Sequence, residues 1–330
     1  MVPINAAMMD FRPPRFLQNA HIQTILNSLK LRRPFIARRA RGMLNAAMPH
    51  ILDCGDGVRL MGYYSPQKKN PPDLCILIHG WKGDATSSYV LSAAGFLWDQ
   101  GFAVFRLNLR DHGPTHHLNR ELFHACRIRE VVGAVKQIQL EFPHRYLMLG
   151  GFSLGGNFAL RVGLFAKDAG IHLKQIVAVC PVLNPDHSIT ALETGFPLYH
   201  WYFMKKWQTS LKRKHHFFPE LINLDEVMQF KTIRSLTEYF VPRYTEFPTA
   251  NDYLYGYAVV GHRLACLQVP TTIIASQDDP VIPAEDLGDL AVPACLNIEK
   301  YPYGGHCGFI SDVRMKSWID RRLGELFGAR

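Results

Sequence analysis

The sequence predicts an α/β fold, a mostly parallel central sheet covered by helices on both faces with a helical cap inserted late in the chain. Three observations carry this reading. Short apolar, β-branched runs alternate with longer stretches of helical periodicity from about residue 74 to 179, and strands resume after residue 270. The alternation breaks between 184 and 262, a stretch that holds 16 of the chain's 38 aromatic residues in 79 positions. One junction, Gly150-Gly151-Phe152-Ser153-Leu154-Gly155-Gly156-Asn157, places Gly-x-Ser-x-Gly between an apolar run and a helical one. That is the strand–turn–helix arrangement called a nucleophile elbow.

Taken in order, residues 1–48 form a Pro- and Arg-containing lead-in packed on the core. Segments 50–53 and 58–64 read as strands joined by the hairpin turn Cys54-Gly55-Asp56-Gly57. Strand 74–78 precedes a helix over 87–99, and strand 102–107 a helix over 121–141. Tyr146-Leu147-Met148-Leu149 leads into the elbow. After it Leu154, Phe158, Val162 and Phe165 fall at helical spacing, and the helix closes at Gly170. Strand 174–179 ends at Cys180-Pro181. Strands at 271–275 and 296–301 complete the sheet. This βα alternation gives parallel strands buried on both faces. The core is thus 1–183 and 263–330, and 184–262 is the cap.

Composition narrows the function classes. The 330 residues are 48% hydrophobic and 20% charged, ordinary for a globular chain with a large core. The net charge of +9 gathers partly at 30–41 and 205–214. A solvated basic face is its first reading. Attraction to an anionic membrane surface or acidic substrates is the second. No recognition motif accompanies the charge, which argues against nucleic acid. Seven scattered cysteines, an odd number, read as free thiols in a reducing compartment. Met1-Val2-Pro3-Ile4-Asn5 lacks the cationic start and apolar stretch of a secretory signal, and no run is long enough to span a bilayer. A cytoplasmic location is the expectation; oligomeric state is left open. Neither G-x-G-x-x-G at the elbow nor a P-loop occurs, so no nucleotide cofactor is expected. His112, His116, His117 and His124 cluster, but without H-E-x-x-H or C-x-x-C they predict no metal site.

The elbow implies partners in the order serine, acid, histidine. After strand 271–275 comes Ser276-Gln277-Asp278-Asp279-Pro280, and after strand 296–301 comes Gly304-Gly305-His306. Ser153 would be the nucleophile and His306 its general base. Asp279 is preferred as the acid that orients His306, being one residue further into its loop, with Asp278 in reserve. The oxyanion donors would be the backbone N–H groups of Leu154 and of Trp81, the latter in the loop after strand 74–78. Residues expected near the substrate are His79, Gly80, Arg110, His112, Tyr199 and Trp201. His79 also fits a structural role at a strand end, and Cys307 reads as a small packing residue.

Four segments give a resemblance. Asn19-Ala20-His21-Ile22-Gln23-Thr24-Ile25, His79-Gly80, the Ser153 elbow through Asn157, and Asp278-Asp279-Pro280 with Gly304-Gly305-His306 are similar to the YheT-like branch of the α/β-hydrolases. The resemblance spans nearly the whole chain. It implies an esterase-like α/β-hydrolase fold with a Ser–Asp–His triad. Trp81-Lys82-Gly83 and Leu109-Arg110-Asp111-His112-Gly113 depart from the family pattern at the expected pocket mouth, which bears on substrate choice. The expected reaction is hydrolysis of short- to medium-chain or lipid-like carboxylic esters. An acyltransferase using the same acyl-enzyme, and a binding module that has kept the fold, are the alternatives.

Overall fold

The computed structural model describes residues 11–28, 32–68 and 71–328. Met1 to Asn5 and Lys30 of the first basic cluster therefore lie outside the described residues. In chain order the elements are α1 (Ala20–Ser28), α2 (Arg33–Arg39), α3 (Arg41–Asn45), β1 (Met48–Asp53), β2 (Arg59–Ser65), β3 (Leu74–Ile78), α4 (Ser88–Asp99), β4 (Ala103–Leu107), α5 (Ile128–Glu141), β5 (Leu147–Phe152), α6 (Leu154–Ala169) and β6 (Leu173–Val179). There follow α7 (Pro185–Thr194), α8 (Pro197–Phe217), α9 (Leu224–Val227), α10 (Ile233–Tyr244), α11 (Ala250–Tyr257), β7 (Thr271–Ser276), β8 (Leu296–Tyr301) and α12 (Trp318–Phe327). No helix among the described residues is long and apolar enough to cross a membrane.

The eight strands form one sheet in the order β1-β2-β4-β3-β5-β6-β7-β8. The β1–β2 and β2–β4 pairings are antiparallel and the rest are parallel. The β1–β2 hairpin, two residues longer at the start of β1 and one at the end of β2 than the sequence suggests, thus sits at one edge. The central strands are apolar without interruption because helices cover both faces. In β3, Leu74, Ile76 and Ile78 join the core under α5 and α6, while Cys75 and Leu77 join the core under α4 and α12. That is the period-2 alternation of a strand read on two buried sides.

One boundary differs from the sequence expectation. The helix read at 121–141 begins only at Ile128. Residues 121–127 instead give their backbone to tertiary partners. The Glu121 carbonyl accepts from Arg110 and Lys214, the Phe123 amide donates to Asp111, and the Ala125 amide to the Tyr253 hydroxyl. Those bonds replace the first turn of a helix.

Helices α7–α11 lie between β6 and β7 and share an apolar cluster with Trp81, Val182, Val281 and Ile282 from the core loops. The segment is fastened by Lys214 of α8, fully buried, whose Nζ donates to Asp111 Oδ1 at 2.9 Å and to two carbonyls. The N-terminal lead-in runs over α4 and α12, with Phe11 packed on Tyr301, Phe309 and Trp318.

Candidate active site

The parallel strands β5, β7 and β8 each end in a loop that carries one polar side chain toward a common point. At the end of β5 the chain reverses into α6 through Ser153, whose φ of 53° and ψ of −120° are unfavourable for a side-chain-bearing residue. The turn holds because its flanks are glycine. A Cβ on Gly151 would stand 2.1 Å from the Gly155 oxygen, and one on Gly155 2.3 Å from the Ile78 oxygen. No side chain fits either place. Ser153 is further fixed by its amide, which donates to the Val179 carbonyl. Leu154 opens α6, so its N–H has no partner within the helix and points with the positive end of the helix dipole.

Asp279, after β7, and His306, after β8, meet at this serine. His306 Nε2 is 2.9 Å from Ser153 Oγ, and Nδ1 is 2.9 Å from Asp279 Oδ2. The Asp279 carboxylate is nearly buried and accepts the Val281 and Ile282 amides at 2.8 and 3.0 Å. Asp278 goes elsewhere: its Oδ1 accepts the Gly305 amide at 2.9 Å and so shapes the loop that presents His306. Of the two acids, Asp279 is the one brought to the imidazole. Burial alone would lower the His306 pKa. The Asp279 charge, negative charge on the Cys307 sulfur and the Asp279 hydrogen bond together outweigh it and raise the imidazole to about 9.

The loop after β3 passes directly over the serine. A Cβ on Gly80 would lie 3.1 Å from Ser153 Cβ and 3.3 Å from the Phe152 oxygen. Within residues 80–83, the Gly80 amide donates to Tyr89, the Lys82 amide to His112 and the Gly83 amide to the Gly80 carbonyl. The Trp81 amide is the fourth, and Trp81 and Leu154 both line a cavity that Ser153 lines. His79 and His112 hold this loop rather than face a substrate. His79 Nδ1 donates to the Gly80 carbonyl and Nε2 accepts the Leu109 amide. His112 Nδ1 donates to the Arg110 carbonyl and Nε2 accepts the Lys82 amide. Each arrangement requires a neutral ring. Burial supplies it, taking His79 down to about 4 and His112 well below the usual range.

An apolar cavity opens beside Ser153. Phe123 and Val182 line it from the core, and Ile189, Leu192, Trp207, Ile233 and Phe240 from α7, α8 and α10. Of the aromatic cluster at the start of the 184–262 segment, Phe203 and Trp207 reach this cavity. Several residues expected near the substrate do not. Arg110 is buried against Glu130, at 2.7 Å, and points into the core. Tyr199 is buried, with its hydroxyl 2.9 Å from His21 Nδ1. Trp201 is half exposed on α8 and lines a separate groove together with His112. Gly80 borders a second cavity that also touches Ser153 and His306.

Two features escaped the reading of single motifs. Thr24 of α1 accepts the His306 amide at 2.8 Å. Fully buried Gln23 spans the Leu17 and Ile310 carbonyls and the Ile310 amide. The lead-in therefore braces the histidine loop; the Gln-Thr pair was the available signal. Cys180 and Cys307, both at positive φ, lie beneath the histidine, and Cys180, His306 and Cys307 offer ligand atoms within 4.8 Å of one another. Such a set suits a soft cation. Each ring nitrogen of His306 already has a partner, so a cation there would displace Ser153 or Asp279.

Comparison with known proteins bears on the fold. The model of the alpha/beta hydrolase family matches residues 75–315. YheT of Escherichia coli (strain K12) is 24% identical over 325 residues, covering 95% of this chain and 92% of its own. Phospholipase ABHD3 of Mus musculus is 23% identical over 274 residues, 78% of this chain, which spans only 64% of that longer protein. The solved esterase Pf2001 of Pyrococcus furiosus superposes with a TM-score of 0.56 at 15% identity, covering 85% of this chain and 91% of its own.

Proposed function

The chain belongs to the alpha/beta hydrolase family, and from that premise we propose that it hydrolyses carboxylic esters through an acyl-enzyme on Ser153. The observation that carries the reading is the continuous hydrogen-bonded line from Ser153 Oγ through His306 to Asp279. His306 Nε2 takes the hydroxyl proton as Oγ attacks the acyl carbon. The Leu154 and Trp81 amides hold the oxyanion, each such donor being worth about 3 kcal/mol in related sites. As the tetrahedral species collapses, the C–O bond to the alcohol breaks and His306 returns its proton to the leaving oxygen. Water, deprotonated by His306, then attacks the acyl-enzyme and releases the acid and free Ser153. Asp279 fixes the imidazole tautomer and stabilises the imidazolium.

Helices α7–α11 act as a cap over the serine. The acyl chain lies in the apolar cavity among Trp207, Ile189 and Phe240. Relatives named as an esterase and a phospholipase fit small-molecule or lipid esters as substrates. The test is hydrolysis of p-nitrophenyl esters from acetate to palmitate by wild type and Ser153→Ala, with fluorophosphonate labelling in parallel. Activity and labelling that both vanish in the variant support the reading; a wild type with neither sinks it. The apolar lining beside Ser153 also favours an alcohol over water as acceptor. Transesterified product on addition of ethanol would make acyl transfer the second activity of the same acyl-enzyme.

A further inference from the structure

Ser153 borders two cavities of opposite character. The apolar one is described above. The second, on the far side of the stacked Trp81–Phe203 pair (centroids 5.4 Å apart, planes 11° apart), is lined by Ser153, His306, Arg33, Lys82 and Lys206. Trp81, Ser153 and Phe203 border both, so the ring pair is the partition and the serine sits at the join. The only carboxylate among the described residues lining the second cavity is Asp84, and it is occupied within its own turn by the Thr86 amide and hydroxyl at 2.7 and 2.6 Å. Among the described residues no carboxylate forms an ion pair with Arg33, Lys82 or Lys206. Lys82 has a backbone φ of 57°, and its Nζ lies 5.7 Å from the centre of the Trp81 ring and 5.8 Å from that of Phe123. Lys206 lies 5.5 Å from the Tyr202 ring. The cavity continues along α8 into a groove that adds Lys205 and Arg213, where Asp111 is already neutralised by Lys214.

An ester attacked at Ser153 must send its acyl and alcohol parts in different directions. The apolar cavity suits the first; Arg33, Lys82 and Lys206, none of them in ion-pair contact with a carboxylate among the described residues, line the space left for the second. A cleft lined by charges of one sign focuses a field that draws an anion in. We propose that the alcohol portion of the substrate carries a negative charge, a phosphate or carboxylate, seated among Arg33, Lys82 and Lys206. This rests on the hydrolase reading above and names its substrate class.

The probes are 1-hexanoylglycerol 3-phosphate and 1-hexanoylglycerol, both as monomers. The anionic ester should show a kcat/KM about tenfold higher at low salt, and the preference should shrink as ionic strength rises. In the Arg33→Gln/Lys206→Gln double variant, whose sites are exposed, the ratio should fall toward unity, chiefly through the KM of the anionic ester. Equal rates on the two esters by wild type would overturn the subsite and leave the hydrolase standing. A preference that survives in the double variant would overturn it as well. So would a preference seen only when the phosphate ester is presented in vesicles, which would assign the charge to a membrane surface. Binding to Ser153→Ala by calorimetry reads the subsite without turnover: tighter binding of the phosphate ester supports it, equal binding overturns it. Failure of the hydrolase reading itself would show separately, as Ser153 that no fluorophosphonate labels.

Discussion

Replacing Asp279 by Asn isolates what the carboxylate does to His306. In the wild type the imidazole is lifted from an unperturbed 6.5 to about 9, against burial that would lower it. The rise is about 2.5 pH units, or about 3 kcal/mol in favour of the imidazolium. The reactive form is the neutral ring. At pH 7 an imidazole titrating near 9 is neutral in about 1% of molecules, so kcat/KM should climb about tenfold from pH 7 to 8 and level off above 9. The same shift makes protonated His306 stabilise the fold below pH 6.5, a contribution lost as pH rises through about 9. In Asp279→Asn the main raising charge is gone and burial remains, so the limb should move toward or below 6.5. The plateau should drop about 10⁴-fold, because an amide can hold the wrong tautomer. The assay is kcat/KM for p-nitrophenyl butyrate from pH 5 to 10, with Cys307→Ala run alongside. A limb near 9 that survives in Asp279→Asn would refute the assignment to Asp279. If it falls instead in Cys307→Ala, the sulfur carries the effect.

Three further expectations follow from measured contacts. Gly80→Ala forces a methyl to 3.1 Å from Ser153 Cβ; kcat should fall about 10²-fold through displacement of the Trp81 amide, with stability reduced by about 1–3 kcal/mol in urea titration. Thr24→Val leaves the His306 amide without its acceptor; activity should fall further than the roughly 1–3 kcal/mol loss of stability explains, and Thr24→Ser should restore it. His79 and His112 are neutral in the fold and protonate in the unfolded chain. Their contribution to stability should therefore be complete above pH 6.5 and decline as pH falls from 6.5 toward 4, by about 3 kcal/mol for His79 alone. A flat urea midpoint between pH 7 and 4 would contradict that.

What could be read in the sequence was what depends on local chemistry. Gly151 and Gly155 announce a turn because two backbones touch there, and His79-Gly80 and Asp279-Pro280 announce strand ends because polar residues follow β-branched runs. The elements near the serine thus appeared at their proper places in order. What failed depended on partners distant in the chain. Arg110 looks like a pocket residue until Glu130, twenty positions on, neutralises it inside the core. Tyr199 is drawn from the cavity by His21. Residues 121–127 have helical composition, but Asp111, Lys214 and Tyr253 claim their backbone groups. No periodicity encodes those bonds. The cationic cavity was equally hidden, because Arg33, Lys82 and Lys206 come from three segments and only the fold assembles them.

The same distant contacts bear on how a substrate reaches Ser153. Lys214 Nζ is sealed from solvent and binds Asp111 together with the carbonyls of Asn119 and Glu121. Lifting α8 away as a body would break that pair and strand Asp111, whose carboxylate is raised by burial and held down chiefly by Lys214. Separating a buried pair of this kind costs about 3–5 kcal/mol. Ser210, four residues earlier in α8, adds a bond to the Asp111 carbonyl and one to His116. The C-terminal half of α8 is therefore pinned. Its N-terminal half is held more lightly: Leu198, Trp201 and Tyr202 are exposed, Tyr199 is buried with its hydroxyl at His21, and Phe203 stacks on Trp81. Rearrangement there needs only rotation of rings and bending of one end of the helix. The ring pair between the apolar and cationic cavities can therefore turn without breaking the Lys214–Asp111 pair.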